Sequence, residues 1–344
     1  MRYAVILAGG KGERFWPLSR SSRPKQLLKI LGDKSMLRMT AERLEGFIPA
    51  ERRIVILTGG IAPAVKLEIA DERMLIEPCG RNTALAVGFA AVEIMKESSD
   101  AVMAVLPADH YIGEKELFLR ALEVGFEYAE KGSLVTFGVV PSRPETGYGY
   151  IELGKEIDRG VFSVERFREK PNTKEAMEYL RSGRFLWNSG MFVWKASVIL
   201  EEIKRYLPEM GEYLQAYMDG KMTVEELYDR SISISIDYGV MERSKRVVVV
   251  KANFSWDDVG SWLSLERIHP RDKDKNVVLG DSALLDTSEC VVFSDEGKLV
   301  ATLGINGLIV VNTGDVVLVA DKSRAQDVRA LVEFLADRGK KKYL

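Results

Sequence analysis

This sequence predicts an α/β protein with a mostly parallel sheet covered by helices on both faces, followed by a small β-rich end. Three observations carry that expectation. Short apolar runs alternate with helical patterns through the first half, as in sheets whose strands are buried on both sides. The first run, Tyr3–Leu7, leads straight into a glycine-rich turn, Gly9-Gly10-Lys11-Gly12. After about Arg271 the pattern changes to short β-like runs broken by Gly, Asp and Asn.

The 344 residues suffice for one large α/β domain and a smaller one. We divide the chain at a charged linker, 271–276, into a domain over 1–270 and a second over 276–344. The net charge of −2 makes any basic segment a local feature and argues against a nucleic-acid partner. No leader and no apolar run of membrane-spanning length is visible, so no membrane role and a cytoplasmic location are expected. Cys79 and Cys290 stand far apart, which speaks against a disulfide framework and a zinc site. His110 and His269 are the two histidines, too few for a His-rich metal site.

In order, the strand-like runs are Tyr3–Leu7, Arg53–Leu57, Met74–Ile76, Ala101–Leu106 and Leu134–Gly138, with helices expected over Met36–Phe47, Asn82–Lys96 and Lys115–Glu130. Ligands of such sheets bind beyond the carboxyl ends of the strands. That rule puts the Gly9–Arg14 loop and the Pro107–His110 segment on one rim. Val164–Pro171 reads as a strand ending in the Glu169-Lys170 pair before proline, another apolar run occupies Met191–Trp194, and helices follow over Val198–Arg205, Gly211–Met218 and Val224–Arg230. Val247–Val250 is a buried strand. In the tail, β-like runs occupy Asn276–Leu279, Ala283–Leu285, Val291–Phe293, Leu299–Leu303, Leu308–Asn312 and Val316–Ala320. Val278, Leu284 and Cys290 fall six apart, as in a β-helix, until Glu296 breaks the spacing. A last helix over Ser323–Ala336 presents Val328, Leu331, Val332 and Leu335 on one face.

The first thirty residues hold seven Lys or Arg against one acid, Glu13. Glycines bring backbone N–H groups to an anion, and cations complement its oxygens. Strand, glycine turn and cations together read as a phosphate site. The dinucleotide fingerprint fails, because Phe15-Trp16-Pro17 follows where a helix should open. The ATPase phosphate loop is absent. Asp109 ends a buried strand on the same rim, where a carboxylate either binds Mg²⁺ or is solvated or capping. Asn82 and Thr83 either cap the following helix or read a base. His110 is a packing or hydrogen-bonding neighbour.

The strings Gly9-Gly10-Lys11-Gly12, Arg14-Phe15-Trp16-Pro17 and Pro24-Lys25-Gln26 resemble the signature of sugar-1-phosphate nucleotidyltransferases. Trp16-Pro17-Leu18-Ser19-Arg20, Pro24-Lys25-Gln26-Leu27 and Trp187–Phe192 are similar to the mannose-1-phosphate guanylyltransferase branch of that family. Glu77–Ala84 resembles its nucleotide loop, and Phe167–Pro171 its F-x-E-K-P motif. The resemblance implies a Rossmann-like catalytic domain and a small left-handed β-helix-like domain ending in a helix; the tail's runs and helix are too small for a large core alone, so they are expected to pack on the catalytic domain and contribute to a homodimer. It implies transfer of GMP from GTP to mannose 1-phosphate with Mg²⁺. It assigns Leu7, Ala8, Gly9, Gly10, Gly12, Asn82, Thr83 and Ala84 to GTP, and Gly147, Glu169 and Asn188 to mannose. Arg14 and Lys25 take the leaving pyrophosphate, and Lys170 the α-phosphate or sugar phosphate. Asp109 and Asp258 hold the metal, with Asp257 the weaker of the aspartate pair.

Arg14 and Lys25 are expected on a loop, where their removal leaves stability intact. Other sugars or bases, such as glucose 1-phosphate with UTP, dTTP or ATP, are the nearest alternative. A silent regulatory subunit that senses GDP-mannose is opposed by the intact charged set. A bifunctional chain with an isomerase domain finds no room and no His-rich site here.

Overall fold

The computed structural model describes residues 1–10, 12–69 and 71–344; Lys11 of the glycine-rich turn and Ala70 lie outside the described residues. The main sheet contains β1 (Arg2–Leu7), β2 (Arg53–Thr58), β3 (Arg73–Glu77) and β4 (Val102–Pro107). A short β5 (Tyr111–Ile112) stands apart, and the sheet continues with β6 (Leu134–Val139), β7 (Tyr150–Asp158), β8 (Val161–Arg168), β9 (Phe185–Lys195) and β10 (Val247–Lys251). Its strand order is β3-β2-β1-β4-β9-β6-β10-β8-β7. The first four strands are all parallel, as is the β6–β10 pair, and β9 runs antiparallel between β4 and β6.

Alternate residues of β1 explain its unbroken apolar run. Tyr3 and Val5 pack in one core, Ala4 and Ile6 in the other. The first core lies under α3 (Asn82–Glu97) and two later helices, α6 (Ala196–Tyr206) and α7 (Pro208–Met218). The second is covered by α1 (Met36–Arg43) and α4 (Lys115–Glu130). Helix α1 stops at Arg43, short of the expected Phe47, and Gly46 turns the chain at φ 79° soon after. Helix α8 (Val224–Arg230) forms where expected, whereas α2 (Ala62–Glu68), α5 (Thr173–Ser182), the short α9 (Leu265–Ile268), β7, and β5 with its partner β11 (Trp256–Asp257) were not expected. The outer half of β7 is exposed and polar, so it lacks the apolar pattern of a central strand.

The string Trp187–Phe192 lies inside β9 and does not open a strand. Opposite it the β6 register slips between Thr136 and Gly138, and Gly190 adopts φ 68°. Such irregularities re-aim side chains, and here they do so at Asn188.

Beyond residue 271 the chain coils into two small sheets. The strands are β12 (Val277–Leu279), β13 (Asp281–Leu285), β14 (Val291–Ser294), β15 (Leu299–Leu303), β16 (Leu308–Asn312) and β17 (Val317–Asp321). They pair as β12-β14-β16-β17 and β13-β15. Of the six-spaced residues, Cys290 is buried and Leu284 packs against it, but Val278 falls out of phase. Val278 is exposed, while its neighbour Val277 stacks inward with Val291 and Ile309. The last helix, α10 (Val328–Asp337), follows a 3₁₀ stretch over 322–327, and Val328, Leu331, Val332 and Leu335 face the core as expected.

That core is shared. Phe15, Trp16 and Leu18 of the N-terminal segment, Val259 and Trp262, and the tail residues Val277, Phe293 and Leu318 form one cluster. Trp16 Nε1 donates to the carbonyl of Tyr343 at 2.7 Å, and Arg20 pairs with Asp315 at 2.9 Å. The tail therefore packs directly behind the glycine-rich turn. Among the described residues no helix is long and apolar enough to cross a membrane.

Candidate active site

The carboxyl ends of β1, β3 and β4 converge on a cavity of about 410 Å³. It brings together Leu7, Ala8, Gly9, Gly10, Asn82, Thr83 and Asp109, all singled out in the sequence. It adds Glu77, His110, Gly190 and Asp237. Ala84 is not among its walls; it is fully buried in the core and its N–H donates to Ile234 O.

The turn after β1 is fixed by its neighbours. Gln26 Nε2 donates to Ala8 O at 2.8 Å, and Ser19 Oγ to Gly12 O at 2.8 Å. Gly12 has φ 66°, and a Cβ there would fall 2.2 Å from Lys25 Cβ. Only glycine lets the turn lie on Lys25.

Lys25 is not a free loop cation, as the sequence led us to expect. Its side chain is 9% exposed, with Nζ 2.7 Å from Asp109 Oδ2 and 2.7 Å from the carbonyl of Asp258. One ammonium thus gathers both aspartates at one place. Burial works against the charged form of Asp109, but Lys25 chiefly outweighs it and holds the carboxyl below its usual range. Burial lowers His110, whose Nδ1 accepts from Trp256 Nε1 at 3.2 Å.

The two neighbouring aspartates of the Trp256–Trp262 loop have different partners. Asp257 is buried, paired with Arg267 at 2.5 and 2.9 Å, and accepts from Val259 N. Asp258 Oδ1 accepts from Tyr148 O–H at 2.5 Å, and its Oδ2 has no hydrogen-bond partner among the described residues. Burial, followed by the Asp258 and Asp257 charges, pushes the Tyr148 hydroxyl well up, so it stays a donor. Asp109 and Asp258 offer hard oxygens, and Mg²⁺ suits one or two carboxylates completed by phosphate and water. No group of three metal-type side chains occurs among the described residues.

Arg14 is exposed and makes no hydrogen bond or ion pair among the described residues. Lys170, at φ 49°, lies 2.8 Å from Glu169 Oε1. Burial opposes its charge, but the Glu169 carboxylate raises the ammonium pKa. Glu169 Oε2 is buried without a partner among the described residues.

Gly147 is exposed and its N–H is taken by Glu145 Oε1 at 3.2 Å. The glycine that the geometry requires is Gly149, where a Cβ would lie 2.4 Å from Glu169 Oε2 and 3.2 Å from Asn188 Cβ. Asn188 itself is 7% exposed and heavily committed. Its Oδ1 accepts from Thr136 Oγ1 and Gly190 N, and its Nδ2 donates to Asp237 Oδ1 at 2.8 Å.

Neither Asn82 nor Thr83 is the cap of α3. The chain enters at Arg81, and Asn82 sits at φ 65° with its Oδ1 accepting from Thr83 N. Thr83 Oγ1 accepts from Ile236 N, which ties this loop to the turn bearing Asp237.

Sequence reasoning missed Glu77, Tyr148 and Asp237. Glu77 is 5% exposed; its Oε1 accepts from Tyr228 O–H at 3.0 Å and burial raises its carboxyl pKa. The available signal was position: Glu77 ends a strand on the ligand rim.

The nucleotidyl transferase family model matches residues 3–275, and a MannoseP isomerase/GMP-like beta-helix domain matches residues 280–335. A mannose-1-phosphate guanylyltransferase of Escherichia coli (strain K12) is 41% identical, over 98% of this chain and 74% of its own length. One from Klebsiella pneumoniae is 39% identical, over 100% and 76%. A crystal structure from Thermus thermophilus, described as a mannose-1-phosphate geranyltransferase, superposes with a TM-score of 0.93 at 44% identity, over 97% of this chain and 99% of that one. Matched in sequence from β1 to the linker and in structure over nearly its whole length, the chain belongs to the nucleotidyl transferase family.

Proposed function

We propose that this chain transfers the guanylyl group of GTP to mannose 1-phosphate, releasing pyrophosphate and forming GDP-mannose. One observation carries the reading: a single cavity joins the glycine-rich turn, the buried carboxylate of Glu77 and Asp109 with its Lys25 partner. The relatives named for that reaction support the choice of substrates. Guanine supports it chemically, because its N1–H and N2 amine present two donors on one edge to a carboxylate.

The sugar phosphate is already an anion, so the site needs no general base. A phosphate oxygen of mannose 1-phosphate forms a bond to the α-phosphorus of GTP. The bond from that phosphorus to the α–β bridging oxygen breaks, and pyrophosphate leaves with the electron pair. The protein's task is to align two repelling phosphates and neutralise the leaving group.

Gly9, Gly10 and Gly12 approach the triphosphate with backbone alone. Arg14, exposed just past the glycine-rich turn, meets the leaving pyrophosphate. Lys25 keeps Asp109 charged and the two aspartates together, and its ammonium adds positive charge beside the phosphates. Lys170 contacts the sugar phosphate or α-phosphate. The family generally works with a divalent metal. Mg²⁺ is the one that fits Asp109 and Asp258, and it supplies charge neutralisation at the phosphates when bound.

We further infer a cytoplasmic homodimer, with residues 1–270 as the catalytic unit and 276–344 as the tail domain. Leu285, Leu299 and Leu303 on β13 and β15 are exposed, and such a strip suits a second copy. Sedimentation tests the dimer.

The deciding assay is pyrophosphate release with four nucleoside triphosphates against several sugar 1-phosphates. GTP with mannose 1-phosphate should be turned over best. Turnover confined to dTTP or UTP with glucose 1-phosphate would refute the guanylyl reading and spare the reaction class.

A further inference from the structure

We propose that Asp237 is a second sugar-reading carboxylate, accepting a hydrogen bond from a ring hydroxyl of the hexose phosphate beside Glu169, with Asn188 as the residue that aims it. This rests on the sugar-phosphate reading above and adds to it a residue outside every motif of the sequence.

The placement comes from three elements. Asp237 opens a short π-helical turn, Asp237–Met241, and lines the same cavity as Asp109 and Gly190. Glu169 lies at the end of the β8 hairpin, and Asn188 at the irregular point of β9. Asn188 has little left to offer a ligand. Its carbonyl oxygen already accepts twice, and one of its two amide hydrogens goes to Asp237 Oδ1. Its geometry is that of a brace. What it braces is a carboxylate that, among the described residues, no other residue than Asn188 is shown to donate to.

Glu169 also leaves an oxygen open, and this one is buried. Lys170 takes its Oε1, and its Oε2 has no partner among the described residues. Leaving such an oxygen unpaired is costly unless a ligand completes it. Two acceptor oxygens on separate elements therefore remain open at one site. Vicinal hydroxyls of a hexose are the complementary donors, and a carboxylate accepts from each more strongly than a neutral group does. Burial and then the Glu169 charge push Asp237 up to about 7, a strain that hydroxyl donors would relieve.

The test is a cycle between protein variants and deoxy sugars, run on the full chain with GTP. Asp237→Ala and Asp237→Asn are assayed with mannose 1-phosphate and with its 2-, 3-, 4- and 6-deoxy analogues, and thermal melts confirm folding. Losing one charged hydrogen bond should cut kcat/KM for the sugar phosphate by roughly 10–100-fold. The KM for GTP should stay within about twofold. One deoxy analogue should be as poor with the native protein as mannose 1-phosphate is with Asp237→Ala, and the variant should lose nothing further with it. Asn188→Ala should fail with that same analogue pattern, since it acts through Asp237.

Equal losses for all analogues in native and variant proteins would overturn the proposal. So would an Asp237→Ala defect that appears in the KM for GTP. Should the native protein prefer another sugar phosphate, the same cycle is run with that sugar. A failed choice of mannose is thereby separated from a failed role for Asp237.

Discussion

Replacing Lys25 by Met should damage both turnover and stability, and the two effects can be separated. The ammonium makes two 2.7 Å contacts, one to Asp109 Oδ2 and one to the Asp258 carbonyl, from a side chain 9% exposed. Methionine preserves the length and removes the charge. Breaking a fully buried pair from one side costs about 3–5 kcal/mol. Asp109 is 26% exposed, so water recovers part of that, and about 2 kcal/mol is expected. In a chain of this size that lowers the melting temperature by roughly 4 °C. Loss of positive charge beside the phosphates should lower kcat by about 10²–10³. Arg14→Ala is the control: exposed and without a partner among the described residues, it should lose similar turnover and no stability. Adding Asp109→Asn to Lys25→Met should restore most of the melting temperature, because the stranded carboxylate is gone, while activity stays low. A Lys25→Met protein that melts with the native one, or a double variant no more stable than the single, would refute the ion-pair reasoning.

Asp258→Asn should raise the Mg²⁺ concentration for half-maximal rate, whereas Asp257→Asn should leave it unchanged and lower the melting temperature by breaking the Arg267 pair; titration of both variants decides which aspartate meets the metal. Asp237→Asn should be stabilising in a pH-dependent way. The carboxyl titrates near 3.8 unfolded and at about 7 folded, so the native state binds the extra proton between those values and stability falls as pH rises through them. The melting advantage of the Asn variant should be absent near pH 4, grow to pH 7 and level off, reaching on the order of 2 kcal/mol for a partly exposed group. Trp16→Phe removes the donor to Tyr343 O and should lower kcat without changing the tail's own fold; unchanged turnover would show that the C-terminal strap does not steady the turn.

The sheet was legible because its strands are buried twice over. β1, β2 and β4 are apolar on both faces, and no other element produces such short unbroken runs between helices. β7 was not legible for the opposite reason: it lies at the sheet's end and its outer half faces water. Helix α5 was missed although its signal is in the chain. Asn172 and Glu175 form a reciprocal capping box, and Gly183 closes the helix in the left-handed conformation. In the tail the periodicity was visible and held at Leu284 and Cys290, but not at its first position. Val277 and Val278 are the same residue type, and only the coil decides which one points inward.

The charged groups followed a different logic. Arg14 and Lys25 look alike in sequence, two cations downstream of a glycine turn, and the fold gives them opposite conditions. Gly12 lets the turn close over Lys25, and the closure buries the ammonium against Asp109, a contact between segments far apart in the chain. Position in a motif therefore told which residues meet, but not which of them carry stability as well. Asp237 was beyond reach for a related reason. It follows an alternating Ser-Ile string, 231–236, with no strand end beside it. Its meaning comes only from Asn188, whose aim depends on a register slip in β9. A residue recruited through another residue's geometry leaves no local pattern. Such residues are found by asking which buried oxygens the protein leaves without partners, and Glu169 Oε2 is where that question begins.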